Sequence, residues 1–211
     1  MSRYRTRSWR AFDPGARTSA FTDDVRILGL DPGSRRTGFG VIDCRGGELV
    51  SVAHGCLDVT AVVPPAARLR RIFEGLQALV SEHRPAEIAV ERVFVSRNVD
   101  SALKLGQARG AALCAIPVGV PLFEYAPRAI KLAVSGYGAA DKAQVAQMVM
   151  ALLGLGRRPG ADAADALAVA LCHAQTRRVA ALVAAPAAPA PRRPAALGSA
   201  VRAGARAGSR P

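Results

Sequence analysis

One stretch, ILGLDPGSRRTGFGVI from Ile27 to Ile42, limits the folds open to this chain more than any other. Ile27, Leu28 and Leu30 read as a buried strand, and Phe39, Val41 and Ile42 resume strand character after an interruption. Between them Pro32-Gly33-Ser34 is turn chemistry: Pro32 fixes φ, and Gly33 is expected to supply a positive φ. Asp31 thus stands at the end of a strand, rigidly aimed yet reachable from solvent. By itself the stretch is equally compatible with an aspartate that merely opens an Asx-type turn, so the rest of the chain has to decide.

Two more strands follow. Thr37 to Asp43 continues past Arg45-Gly46-Gly47, a hairpin turn, into Glu48 to about Val59, giving an antiparallel meander. Pro64-Pro65 opens a helix in which Leu69, Ile72, Phe73, Leu76, Leu79 and Val80 recur at helical spacing, and His83-Arg84-Pro85 closes it. Glu87 to Glu91 is short, apolar and bounded by turn signals, as a buried parallel strand is, and it too ends in a carboxylate. A loop with Phe94, Ser96, Arg97 and Asn98 leads to a helix from Asp100 to Ala115, rich in small residues including Gly106 and Ala108. Such residues permit close helix contact, so this helix is the expected seam of a dimer.

Pro121 to Glu124 reads as a fifth strand, followed by a basic segment with Arg128 and Lys131. Asp141 resembles an N-cap for a helix from Lys142 to Leu153, and a last helix runs from Ala161 or Asp162 to about Gln175. The predicted order β-β-β-α-β-α-β-α-α makes an α/β fold, a mixed five-stranded sheet flanked by helices. Ligands of such sheets bind at the carboxyl ends of strands, where Asp31 and Glu91 stand.

Asp162 and Asp165 add two acids at i and i+3, sharing one face in what reads as the first turn of the last helix. One aspartate there is ordinary capping; two on an alanine-rich apolar helix suggest a site. Four converging carboxylates need cations, and an all-oxygen anionic set suits Mg²⁺ or Mn²⁺ rather than Zn²⁺. Two such ions about 4 Å apart can activate water and stabilise a leaving oxygen in phosphodiester hydrolysis. No nucleophile–base pair stands out, and His173 offers at most an indirect role beyond the aspartates.

Charge agrees with a polyanionic partner: the formal net charge is +13, with pI near 11.0. Most of that excess lies at the ends. Residues 1–24 carry net +2, residues 177–211 carry seven arginines and no acid, and the middle carries only +4. The ends, 1–24 and 177–211, therefore read as a disordered basic extension and a disordered Ala/Pro/Arg-rich tail around a domain of 25–176. Cys44, Cys56, Cys114 and Cys172 are too scattered for a metal site or disulfide scaffold, so reduced, buried thiols and a cytosolic setting are expected. No apolar run is long enough for a membrane span.

Taken together, ILGLDPGSRRTGFGVI, AVERVFVSRN, DSALKLGQARGAA and ADAADALAVALCH resemble the RuvC family of Holliday-junction resolvases, colinearly from about Arg26 to His173. The resemblance implies a ribonuclease-H-like fold and a cytoplasmic homodimer that cuts four-way DNA junctions symmetrically with Mg²⁺, working with RuvA and RuvB. It assigns catalytic, metal-holding roles to Asp31, Glu91, Asp162 and Asp165. It also implies base stacking by Phe94 and functional lysines at Lys131 and Lys142; Arg97, in the same loop as Phe94, reads as a further phosphate or wedge contact. Phe94 by itself is equally compatible with a ring packed in the core. Two rivals stay open: a ribonuclease-H-like protein acting on, or only binding, another nucleic acid, and an actin- or sugar-kinase-like nucleotide-binding protein. The latter needs a second domain and phosphate loop that this sequence does not show.

Overall fold

The computed structural model describes residues 24–92 and 98–184. The elements are β1 (Val25–Asp31), β2 (Arg36–Arg45), β3 (Glu48–Asp58), α1 (Pro65–His83), β4 (Glu87–Glu91), α2 (Val99–Cys114), β5 (Leu122–Tyr125), α3 (Pro127–Ser135), α4 (Lys142–Leu152) and α5 (Ala161–Ala184). They form one mixed five-stranded sheet ordered β3-β2-β1-β4-β5. The β1–β2 and β2–β3 pairs are antiparallel; β1–β4 and β4–β5 are parallel. Gly46 and Gly47, at φ 54° and 89°, make the two-residue hairpin between β2 and β3.

Strand alternation splits the core into two layers. Leu28, Leu30, Val41, Ile88 and Val90 face α1 and α2, meeting Ile72, Leu76, Ala108 and Ala112. Ile27, Ile42 and Ala89 face the other way, onto α5, α3 and α4. The centre of α5 is apolar all round: Leu167, Val169, Ala170 and Leu171 are fully buried, as expected of a helix covered on every side. It lies directly on the sheet because Gly29 has no side chain; a Cβ there would come within 2.2 Å of the Ala166 carbonyl.

The structure differs from the sequence reading in several places. The basic segment after β5 is a helix, α3, with Pro127 in its first turn and Ile130 and Val134 buried. Nine residues with two core positions give too little periodicity to stand out. The last helix continues past Thr176 to Ala184, so the folded part does not stop at residue 176. Arg177, placed in the tail by composition, ion-pairs with Glu87 at 2.7 Å, and alanine sustains the remaining turns. Of the cysteines, Cys44 and Cys172 are buried, whereas Cys56 and Cys114 are exposed; all four are free. On α2, Ala108 is buried in its own subunit's core, not on an outer seam, while Cβ positions at Gly106 and Gly110 meet open space. No described helix is long and apolar enough to cross a membrane.

Candidate active site

Sheet register brings the first two acids together. Leu30 pairs with Val90 on adjacent parallel strands, and both point to the α1/α2 layer. The next residues on each strand, Asp31 and Glu91, therefore turn to the opposite face, beneath the start of α5. β2 brings α5 to the same edge: Gly38 lies opposite Asp31, and a Cβ at Gly38 would sit 2.0 Å from the Asp162 carbonyl. Asp162 thus stands over the end of β1. Only Asp162 occupies the first turn; Asp165 falls in the second, a correction to the sequence reading. Gly33 also differs from expectation. It is not among the positive-φ residues; a Cβ would instead fall 2.3 Å from the Arg36 carbonyl, so the tight turn itself excludes a side chain.

Charge makes the site strained without a cation. Burial, then the negative charge of Asp165, pushes the Asp31 carboxyl up to about 6. Burial, then the charge of Asp31, pushes Glu91 up to about 7. Each of the two carboxyls is thus harder to ionise while the other is charged. Lys142, at the start of α4, supplies a counter-charge, donating to Asp165 at 2.8 Å. Its start is fixed by a capping box between Asp141 and Gln144. Lys142, Lys131, Glu91 and Asp165 share a small cleft of about 90 Å³ floored by Ile130 and Val145. Larger hollows, of about 400 and 630 Å³, lie near the end of α5 and around Arg26 and Asp43, away from all four acids.

Three side chains that the sequence did not single out touch this constellation. The Cys56 thiol on β3 donates to Asp162 at 3.5 Å, and Arg36 on β2 lies 4.0 Å from the same carboxylate. Arg36 also pairs with Asp58 at 3.0 Å. Arg109 on α2 donates to the Glu91 carbonyl. All are long-range contacts without local spacing; the sequence signal is only that Arg36 and Arg109 each lie within a family motif, the opening stretch and DSALKLGQARGAA. Conversely, His173 does not reach the acids. It is buried near the opposite end of the sheet, hydrogen-bonded to Tyr125 at 2.7 Å and Glu87 at 2.6 Å and stacked on Phe123. Phe94 and Arg97 lie outside the described residues.

Among the described residues, no three His, Cys, Asp or Glu side chains are gathered closely enough to form a ready-made metal cage. The donor set nonetheless fits a hard divalent cation: all four candidates are carboxylates, and the raised Asp31 and Glu91 mark a deficit of positive charge that such an ion relieves.

Comparison with known proteins points in one direction. A family model described as "Crossover junction endodeoxyribonuclease RuvC" matches residues 27–173. A protein of that name from Halorhodospira halophila is 56% identical over 154 residues, 72% of this chain and 92% of the relative. The structure of Thermus thermophilus RuvC in complex with a Holliday junction substrate matches with a TM-score of 0.70 and 35% identity, over 74% of this chain and 97% of that one. The yeast mitochondrial Holliday junction resolvase Ydc2 matches with a TM-score of 0.54 at 14% identity, a likeness of fold alone, over 75% and 84% of the two chains.

Proposed function

The chain belongs to the RuvC family of crossover junction endodeoxyribonucleases, and from that membership we propose how its residues divide the work of cutting a four-way DNA junction. The protein is a Holliday-junction resolvase, hydrolysing phosphodiester bonds at the crossover during recombination and repair. The observation that carries the site assignment is the mutual charge interaction of Asp31, Glu91 and Asp165, with Asp162 beside them, at the carboxyl edge of the parallel strands.

Asp31, Glu91, Asp162 and Asp165 hold Mg²⁺, two ions per site, with Mn²⁺ as a working substitute. Bound there, the metal supplies an activated water and stabilises charge on the leaving oxygen. Lys142 neutralises a non-bridging phosphate oxygen once the acids no longer claim its charge, and Lys131, on the same cleft, binds a neighbouring phosphate. Phe94 stacks on an unpaired base at the crossover, and Arg97 contacts phosphate beside it. Matched cuts on opposed strands require two sites, so a homodimer binds the two-fold junction. Its seam is the outer face of α2, where Val99 and Leu103 are exposed in line with Gly106 and Gly110. The enzyme acts in the bacterial cytoplasm alongside RuvA and RuvB. Residues 1–23 and 185–211 lie outside the catalytic unit and add non-specific affinity for DNA through their arginines.

The test is cleavage of a synthetic four-way junction with Mg²⁺, against linear duplex and structured RNA. Symmetric paired cuts in the junction alone are expected. Preferential cutting of RNA would instead favour a ribonuclease-H-like enzyme with another substrate.

A further inference from the structure

Glu91 is held in place by a residue that none of its neighbours in sequence suggests. Arg109 donates from Nη1 to the Glu91 backbone carbonyl at 2.5 Å and from Nη2 to the Glu124 carboxylate on β5. Its side chain is only 13% exposed, so the guanidinium is committed to these contacts rather than solvated. Arg92, 3.9 Å from the other Glu124 oxygen, is 58% exposed and plays no comparable part.

The ladder explains why that carbonyl needs a donor. The Arg92 N–H goes to the Tyr125 carbonyl on β5, so the Glu91 carbonyl, across the same peptide plane, points back toward β1. The β1–β4 register ends at Leu30 with Val90. Continued by one step, it sets the nitrogen of Pro32 against the Glu91 carbonyl, and proline has no N–H to give. The turn that presents Asp31 therefore strips the adjacent strand of a hydrogen bond at the residue carrying Glu91. A guanidinium from the other layer supplies it.

We propose that Arg109 is a positioning residue for the cleavage reaction: by replacing the N–H that Pro32 lacks, it fixes the end of β4 and so the separation of Glu91 from Asp31. The inference rests on Glu91 being one of the site's acids. Groups that orient the ligands of a metal site in this way typically contribute 10- to 100-fold in metal affinity or rate.

The experiment uses the full-length chain and measures single-turnover cleavage of a saturating four-way junction over a Mg²⁺ titration. Mn²⁺ binding to the DNA-free protein is followed in parallel by electron paramagnetic resonance. Arg109→Leu is expected to slow cleavage about 10- to 100-fold and raise the half-saturating Mg²⁺ and the Mn²⁺ Kd by about 10-fold. Junction affinity in chelator should stay within about 2-fold, since phosphate contacts are unaffected. Arg109→Lys, which keeps one donor but cannot fork to Glu124, should show a smaller shift in the same direction, and it carries the test if the leucine variant does not fold. Adding Pro32→Ala to Arg109→Leu restores a backbone N–H on the β1 side and should recover part of the metal affinity; a merely structural loss would not respond. Unchanged metal dependence in a folded Arg109→Leu, with Glu91→Gln inactive, overturns this inference alone. Wild-type cleavage by Glu91→Gln overturns the site assignment beneath it.

Discussion

Lys142 on α4 sets its ammonium 2.8 Å from the Asp165 carboxylate on α5, across 23 residues of sequence. The lysine is 80% exposed, so the pair contributes little to stability, on the order of 0–1 kcal/mol. Its charge instead acts on three of the acids, Asp165, Asp31 and Glu91, in the free protein. Lys142→Gln is expected to leave the melting temperature within a few degrees, to slow junction cleavage at least about 10-fold, and to reduce the salt slope of junction binding by about one. A variant with full activity would remove Lys142 from the site.

The raised carboxyls make a signed prediction for pH. Asp31 and Glu91 titrate near 6 and 7 when folded, against ordinary values of 3.8 and 4.5. Between about pH 4 and 7 the folded chain therefore holds more protons than the unfolded one, and stability in chelator falls as pH rises through that window. Glu91→Gln should flatten the dependence and, at pH 8, gain on the order of 1–2 kcal/mol after solvent screening. Urea melts from pH 4 to 8 check this; parallel curves for variant and wild type would contradict it.

The same protons compete with metal. Cleavage at limiting Mg²⁺ should fall steeply below about pH 7, and saturating Mg²⁺ should move the midpoint to lower pH. Asp31→Asn and Glu91→Gln should each abolish cleavage while junction binding in chelator persists. A pH midpoint indifferent to Mg²⁺ would argue against carboxylate ligation.

In the second half of α5, His173 ties the helix to Glu87 and Tyr125, and Arg177 adds an ion pair to Glu87. His173→Ala leaves two partly buried groups short of a partner and should cost ~2–4 kcal/mol. Ending the chain after Thr176 should lower the melting temperature as well, whereas residues 24–184 alone should fold and cut junctions with a shallower salt dependence. Calorimetry and salt titration report both; a chain ending at Thr176 with native stability would show that the last turns of α5 are dispensable.

For the paired cuts, Gly106→Arg on the open face of α2 is expected to yield monomers that leave nicked cruciforms, with little loss of subunit stability. Ala108→Leu should instead destabilise the fold by about 1–3 kcal/mol, because that position is already filled core. Light scattering and the ratio of nicked to linear plasmid separate the two. A dimeric Gly106→Arg variant would place the seam elsewhere.

Much of this protein was legible in its sequence because local rules govern it. The apolar residues Ile27, Leu28 and Leu30 before Asp31, the Gly46-Gly47 hairpin, the helical spacing of Ile72, Leu76 and Val80, and Asp141 before Lys142 each act over a few residues, so each could be read where it stands. The family motifs carried the four acids for the same reason, each lying within its own short signature. What only tertiary structure decided depends on groups distant in sequence. Which face Asp31 and Glu91 share follows from the β1–β4 register, and α5 meets them because Gly29 and Gly38 let a helix lie against bare backbone. The burial of Ala108 beside the exposure of Gly106, the continuation of α5 through Arg177, and the reach of Arg109 to the Glu91 carbonyl are likewise set by packing partners. A carbonyl facing a proline that has no N–H is satisfied only by a donor from another layer, and only the assembled fold determines which one arrives.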